Sequence, residues 1–199
     1  TIDGDQTSTI TITIVDSISD SDFSNVADQT VSVVTTDDDA AGFTIEETEG
    51  STEVDESGTT DTFTVVLDAQ PTSDVVLTIT SDDTGEATVN SPLTFTPVNW
   101  DTPQTVTVTG ADDSIIDGTI TSIATVAVDD ANSDNDFDAV ADQTVSVDTT
   151  DDDVAGFTIV ELDGSTEVDE SGTTDTFTVV LDAQPSDNVV IAMSSSDIG

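Results

Sequence analysis

The side chains of this sequence that can do chemistry are carboxylates and hydroxyls. Its 199 residues include nine Glu and 35 Asp but no Lys, Arg, His, Cys or Tyr. Disulfides, thiolate nucleophiles, histidine bases and zinc-thiolate sites are therefore excluded. Carboxylate oxygens are the ligands that Ca²⁺ prefers. A catalytic carboxylate pair of the glycosidase type would need a substrate cleft. No predicted loop is long enough to build one, so we expect no enzyme.

The net charge of −44 is a second constraint on function. No side-chain salt bridge can form, so screening or bound cations must offset the like-charge repulsion in the folded chain. Nucleic acid and anionic membrane surfaces are poor partners because both bind basic patches. A halophilic surface is the alternative explanation. It would scatter acids over strand faces, whereas these acids cluster in predicted loops, where Asp favours turns and oxygen cages.

The elements that position the acids are predicted to be strands. Apolar residues make up 34% of the sequence and alternate with polar ones, as in 105–109, which is typical of strands with one buried face. No apolar run is long enough to span a membrane. We place Phe43, Phe63, Phe95 and Trp100 in the core or at strand corners. The predicted strands lie near 42–47, 52–55, 60–68, 74–80, 86–89, 93–97, 103–109, 119–128 and 142–149.

An internal repeat sets the domain organisation. Gly42 recurs as Gly156, an offset of 114 residues, and 31 of the 35 positions from Asp37 to Pro71 match their copies. This period has the size of an independent domain. We therefore predict the C-terminal part of one repeat at 1–41, a complete repeat at 42–153 and the N-terminal part of the next at 154–199. The sequence begins without Met, and we expect it to be a piece of a longer protein.

Loop positions predict a carboxylate cluster at one end of the complete repeat. Successive antiparallel strands place alternate loops at the same end of a two-sheet sandwich. Four segments distant in sequence meet there, and their mutual repulsion predicts a cage of two to four calcium ions. Plain solvation of the turns is the alternative. The acids at this end are Glu56, Asp82, Asp83, Asp112, Asp113, Asp117, Asp151, Asp152 and Asp153.

These acids resemble those of the Calx-beta domain of calcium exchangers and bacterial surface proteins. The matching motifs are Glu56 after the predicted strand 52–55, the pair Asp112-Asp113 and the closing run 151–153. The resemblance implies an immunoglobulin-like β-sandwich with a Ca²⁺ cluster at one tip. The family usually continues with Glu-x-x-Glu after the Asp pair, whereas here Asp117 stands alone before Gly118.

Two further groups of acids are predicted to bind calcium. The loop before the last strand places oxygen side chains at every second residue, a spacing that can wrap a calcium ion. A solvated loop is equally compatible with that spacing. The linker before the complete repeat carries the counterparts of 151–153, and Asp3 is the counterpart of Asp117. The residues of these two groups are Asp130, Asn132, Asp134, Asp136, Asp3, Asp37, Asp38 and Asp39.

Near-identical repeats predict a spacer whose partners are the neighbouring repeats, with no small-molecule substrate. Calcium in the short linkers would fix the interdomain angle, and the millimolar calcium that such sites need places the protein outside the cell. These arrays resemble the extender regions of long bacterial RTX-type adhesins, which implies a role at the cell surface in adhesion and biofilm formation. The glycine-rich RTX nonapeptide is absent.

Two alternatives for the function stay open at this point. A calcium-dependent carbohydrate- or protein-binding module would use an open coordination position and Trp100 to stack on a sugar ring. Ice binding would use the Thr-x-Thr runs. Those runs fall in strands with alternating burial rather than on a flat face, which argues against ice binding.

Overall fold

The computed structural model describes residues 1–196, and almost all of its regular structure is β. The nine strands predicted between 42 and 150 are all present, with bounds that differ by at most two residues from those expected. Short 3₁₀ turns lie at Ser21–Phe23, Thr48–Gly50, Asp130–Asn132, Asn135–Phe137 and Leu162–Gly164. The strands are β1 (Gln6–Ile12), β2 (Gln29–Thr35), β3 (Phe43–Glu47), β4 (Thr52–Asp55), β5 (Thr60–Leu67), β6 (Val75–Ser81), β7 (Ala87–Val89), β8 (Leu93–Phe95), β9 (Gln104–Gly110), β10 (Ile120–Val128), β11 (Gln143–Thr150), β12 (Phe157–Glu161) and β13 (Phe177–Leu181).

Strands β3 to β11 form an immunoglobulin-like β-sandwich. One sheet has the order β3-β5-β9-β7 and the other β4-β11-β10-β6-β8. The first two strands of the sandwich lie in different sheets: β3 pairs with β5, whereas β4 pairs with β11. The β4–β11 pair is parallel, and the other pairs in the two sheets are antiparallel. The predicted fold class, tandem β-sandwich domains, is confirmed.

The core lies between the two sheets and follows the alternation in the sequence. Phe63 and Val65 of β5 and Val106 of β9 are completely buried, while the residues between them are partly or fully exposed. The predicted core residues Phe43, Phe63 and Phe95 are buried, and Trp100 packs partly buried against the same cluster. Phe137, in a 3₁₀ turn of the β10–β11 loop, is also completely buried, although no strand pattern marks it.

The two terminal segments repeat parts of the sandwich in the same register. The β1–β2 hairpin pairs Gln6 with Thr35, as β10 and β11 pair Ile120 with Thr149. Likewise β12 and β13 pair Phe157 with Leu181, as β3 and β5 pair their counterparts. Both hairpins are two-stranded sheets and expose residues whose copies are buried; Phe157 is 53% exposed and Phe43 is 3% exposed. The domain boundaries themselves stay a prediction.

No helix among residues 1–196 is long and apolar enough to cross a membrane.

Candidate metal centre

Backbone hydrogen bonds bring the acid-bearing loops together at one end of the sandwich. Glu56 follows β4, and its N–H donates to the Thr150 carbonyl at the end of β11 (3.1 Å). The Ala111 N–H, after β9, donates to the Glu86 carbonyl before β7 (2.8 Å). These bonds place the turns after β4, β6, β9 and β11 around one point, as the alternating-loop argument predicts.

Gly110 allows the closest of these approaches. It ends β9, and a Cβ built on it would lie 2.0 Å from the Asp55 carbonyl oxygen, closer than any side chain tolerates. Its N–H donates to the Thr59 carbonyl (3.0 Å). Glycine is therefore required here so that the β4–β5 turn can lie against the end of β9. This contact holds Glu56 beside the loop 111–118.

Two groups of carboxylates form at this end and share one residue. Oxygens of Glu56, Asp113 and Asp153 lie within 4.8 Å of one another. Oxygens of Glu86, Asp113 and Asp117 form a second group under the same limit. Asp113 belongs to both groups, so the two groups are adjacent parts of one centre.

Several oxygens in this centre have no hydrogen-bond partner. Glu56 is 1% exposed and Glu86 is 7% exposed, and in each the Oε2 atom is buried and unpartnered. The Oδ2 atom of Asp153 is also buried without a hydrogen-bond partner. Buried carboxylates without partners cost several kcal/mol unless a cation or a proton compensates them. Oxygen ligands held close together in this way fit a hard cation such as Ca²⁺.

The pKa values of these groups rise for the same physical reason. Burial, followed by the charges of Asp113, Asp151, Asp117 and Glu86, raises the pKa of Glu56 from 4.5 to about 7. Burial and neighbouring acids also raise the pKa of Glu86 and that of Asp153. Without a cation these side chains therefore retain protons far more readily than ordinary acids do.

The other acids predicted at this end belong to neither carboxylate group. Three of them accept hydrogen bonds from backbone N–H groups. Asp151 Oδ2 accepts from the N–H groups of Asp117 (3.0 Å) and Gly118 (2.8 Å), and such bonds lower the pKa of Asp151. Asp82 Oδ1 accepts from the Ile123 N–H (2.7 Å) and joins the turn to β10. Asp83 Oδ1 accepts from the Gly85 N–H (3.0 Å). Outside the two groups also lie Asp112 and Asp152, whose negative charges help to raise the pKa of Asp153.

The first linker repeats the hydrogen bonds of the second. Asp37 Oδ2 accepts from the N–H groups of Asp3 (3.0 Å) and Gly4 (2.7 Å), as Asp151 does from their counterparts. The Thr1 α-ammonium contacts Asp39 Oδ2 at 2.6 Å, the one ion pair within residues 1–196. Asp3, Asp37, Asp38 and Asp39 do not form a carboxylate group like those above in the described part of the chain.

The loop at the opposite end is held by hydrogen bonds rather than arranged as a cage. Asp134 is 5% exposed, and its Oδ2 accepts from the Thr72 N–H (2.7 Å), the Thr72 hydroxyl (2.7 Å) and the Ser73 N–H (2.8 Å). Its Oδ1 accepts from the Asp136 N–H (3.2 Å). Burial opposes ionisation of Asp134, but these bonds outweigh it and lower the pKa.

The oxygens of Asp130, Asp134 and Asp136 form no close group within the described residues. Asn132 donates instead to Asp129 (2.8 Å).

Sequence reasoning missed Glu86. It expected the β6–β7 turn to contribute Asp82 and Asp83, yet Glu86, three residues later, supplies the carboxylate. The available signal was its position as the residue before β7, at the same end as Glu56. From a strand end the longer Glu side chain reaches inward, whereas the Asp side chains in the turn bond to nearby backbone.

No protein-family model matches the sequence, and no curated protein sequence matches it. Solved structures are similar in fold. The apo-form Calx CBD1 domain has 14% identity and a TM-score of 0.41, over 58% of this chain and 100% of that chain. CBD12 from CALX1.2 has 13% identity and a TM-score of 0.40, over 70% and 69%. The E. coli chaperone DraB has 7% identity and a TM-score of 0.40, over 58% and 59%. At these levels the likeness carries nothing about ligands or function.

The raised pKa of Glu56 makes the stability of the calcium-free protein depend on pH. Its pKa is about 7 in the folded chain against 4.5 for the ordinary group, so its contribution to the free energy of unfolding is greatest below pH 4.5. That contribution is lost as pH rises through about 7. We expect Glu56→Gln to flatten this slope and to stabilise the calcium-free protein at pH 7.5. Urea titrations across pH, read from the single Trp, measure the slope. Glu170→Gln, at the exposed counterpart position, is the control, and equal slopes in the two variants would contradict the assignment.

The bonds to Asp134 make that residue a structural tie between the β5–β6 turn and the β10–β11 loop. Asp134→Ala removes the hydrogen bonds that the exposed Thr72 and Ser73 donate to a charged carboxylate, and we expect it to lower the free energy of unfolding by about 1.5–3 kcal/mol. Because the pKa of Asp134 is lowered, the loss should be present at neutral pH and shrink as acid protonates the wild-type group. Denaturant unfolding measures it. The counterpart variant Asp20→Ala, in an exposed loop, should cost much less; similar costs would refute the tie.

Proposed function

We propose that the chain is a calcium-binding spacer segment of a long bacterial cell-surface adhesin. Its β-sandwich repeats extend the parent protein, and Ca²⁺ at the ends of the repeats stiffens the linkers. In this role the segment supports adhesion and biofilm formation without acting as an enzyme. The observation that carries the proposal is the pair of buried glutamates, Glu56 and Glu86, each with an unpartnered oxygen in one carboxylate centre.

The donor set supports a hard cation such as Ca²⁺ as the ion. All the ligating atoms on offer are carboxylate oxygens, and the described residues include no His or Cys. When bound, Ca²⁺ supplies positive charge and six to eight coordination positions for oxygen. Glu56, Asp113 and Asp153 would hold one ion, and Glu86 and Asp117 would hold a second with Asp113. The buried oxygens would then be compensated without protonation.

Calcium binding of this kind favours an extracellular location. Extracellular modules bind Ca²⁺ with Kd values of about 10⁻⁴ to 10⁻³ M. At free calcium of about 10 to 100 times Kd, each site stabilises the folded state by roughly 1.4–2.7 kcal/mol. Two such sites amount to a large share of the stability of a small domain. Cytosolic calcium is too low for such sites, so we assign the protein to the cell surface.

The spacer role is supported by one segment that is nearly identical in the two copies. Only four of 35 positions differ between the segments 37–71 and 151–185, and the turn 55–60 is among the matching positions. Binding domains that recognise different targets vary in their loops, whereas repeats that set length need not. The resemblance to adhesin extender regions is the support for the adhesion role. For the alternative carbohydrate-binding module, Trp100 was the expected stacking residue, and it packs partly buried against the core.

The metal proposal predicts stabilisation by calcium itself. We expect millimolar CaCl₂ to raise the melting temperature of the chain by roughly 10 °C or more over the chelated protein. Thermal unfolding followed by Trp fluorescence at constant high ionic strength measures this. Asp113→Asn should remove most of the increase because it deletes the shared ligand, while the exposed turn variant Asp101→Asn should retain it. If MgCl₂ or NaCl alone raised the melting temperature equally, the acidity would be a halophilic surface and the calcium sites would be refuted.

The spacer proposal predicts that calcium changes shape as well as stability. Ions held beside the linkers should narrow the range of interdomain angles, so we expect a larger maximum dimension in calcium than in chelator. Small-angle X-ray scattering of the full chain at matched ionic strength measures it. Magnesium is the control for screening. An identical maximum dimension in chelator and in calcium would contradict the stiffening mechanism and leave only the binding sites.

A further inference from the structure

An isoleucine joins consecutive repeats at the first linker. Ile2 belongs to the segment that repeats the β9–β10 loop, and it packs against the hydrophobic core of the complete repeat. Its N–H donates to the carbonyl of Gln70 (3.2 Å), in the turn after β5. The Thr1 hydroxyl also donates to Gln70 Oε1 (2.5 Å). The end of one repeat thus contacts the start of the next through backbone and an apolar side chain.

The backbone part of this contact recurs at the second linker, 114 residues later, where Ile116 is 44% exposed. Ile115 forms a parallel bridge with Gln184, the counterpart of Gln70. The Gln184 N–H donates to the Ser114 carbonyl (2.6 Å). Ile116, the counterpart of Ile2, lines a cavity of 660 Å³ together with Phe157 and Leu181. Two copies of the contact in one chain make it a property of the repeat rather than of either terminus.

The chemistry of the contact suits a chain of this charge. With 44 acids and no basic side chain, consecutive repeats repel each other, and a joint made of ion pairs is not available. Isoleucine is attracted to the apolar residues of the turn by the hydrophobic effect, which is insensitive to that charge. The turn reads Leu-Asp-Ala-Gln-Pro in both copies, 67–71 and 181–185. Leu67 and Ala69 are buried beside Gln70, and their counterparts Leu181 and Ala183 line the cavity that Ile116 also lines.

We propose that this isoleucine contact is the interdomain joint of the array. The isoleucine before the Asp-Gly turn, Ile2 or Ile116, docks on the turn of the next repeat in the same chain, at Gln70 or Gln184. The joint recurs once per 114 residues and sets how each repeat sits on its neighbour. It is a second determinant of stiffness beside the metal centre.

The joint and the metal centre share one loop. Asp113 and Asp117 belong to the carboxylate centre, and the three residues between them, 114–116, make the contact with the next repeat. Asp113 Oδ1 also accepts from the N–H of Ile115 (2.6 Å). Fixing both acids therefore fixes the docking segment. This link between the two rests on the proposed calcium function, whereas the docking contact itself does not.

Site-directed spin labelling of the full chain tests the joint. The sequence has no Cys, so Ser32→Cys in β2 and Thr94→Cys in β8 give one label on each side of the first linker, at exposed positions. We expect a narrow distance distribution by pulsed electron paramagnetic resonance. Ile2→Ser should broaden it at least twofold, and Ile2→Val should keep it narrow. Ile10→Ser, at an exposed isoleucine of the same hairpin, should leave the width unchanged.

The outcomes separate the joint from the calcium proposal. A broad distribution in the parent chain, or an unchanged width in Ile2→Ser, would overturn the joint even if calcium still raised the melting temperature. Broadening by Ile10→Ser to the same extent would also overturn it, since the hairpin rather than the contact would then be responsible. Broadening specific to Ile2→Ser in a chain that calcium fails to stabilise would establish the joint and refute the metal function instead.

Discussion

Uncompensated negative charge is the constraint on which the rest of this structure depends. A chain with 44 carboxylates and no basic side chain cannot neutralise any of them with its own side chains. Each acid must therefore be solvated, accept hydrogen bonds from the backbone, retain a proton or bind a cation from solution. The sandwich uses these solutions at different places, and where each is used decides which acids are functional.

Several acids in turns are satisfied by hydrogen bonds from the backbone. Asp151 and its copy Asp37 each accept two N–H groups from an Asp-Gly turn, and Asp134 accepts four donors across two loops. These bonds favour the ionised form and lower the pKa values. Glu56, Glu86 and Asp153 are exceptions, because each has a buried oxygen that no donor reaches. The acids of the first group are therefore stabilised as anions by the fold, whereas those of the second need a proton or a cation to compensate their charge.

The sequence predicted the fold almost completely and the site only in part. Strand alternation and turn residues located β3 to β11, because period-two burial is a local signal. The meeting of Glu56, Asp113 and Asp153 was also predictable, since antiparallel topology decides which loops share an end. Glu86 was missed because its role depends on side-chain length at a strand end. Asp134 was expected in a cation-binding loop because oxygen side chains occur there at every second residue. That spacing does not reveal that the turn after β5 supplies hydrogen-bond donors to it. Phe137 was missed for a similar reason, because it is buried from a loop without periodicity.

Repulsion between acids also bears on why the carboxylate centre and the contact with the following turn involve the same loop. Two repeats of like charge approach most easily where charge is absent or can be compensated, and the segment 113–117 holds three uncharged residues between two acids of the carboxylate centre. Its outer acids face the carboxylate centre, and its inner residues present uncharged backbone and isoleucine to the following turn. Ser114, Ile115 and Ile116 carry no charge, so the contact with the following turn is made by the part of this loop that adds nothing to the repulsion.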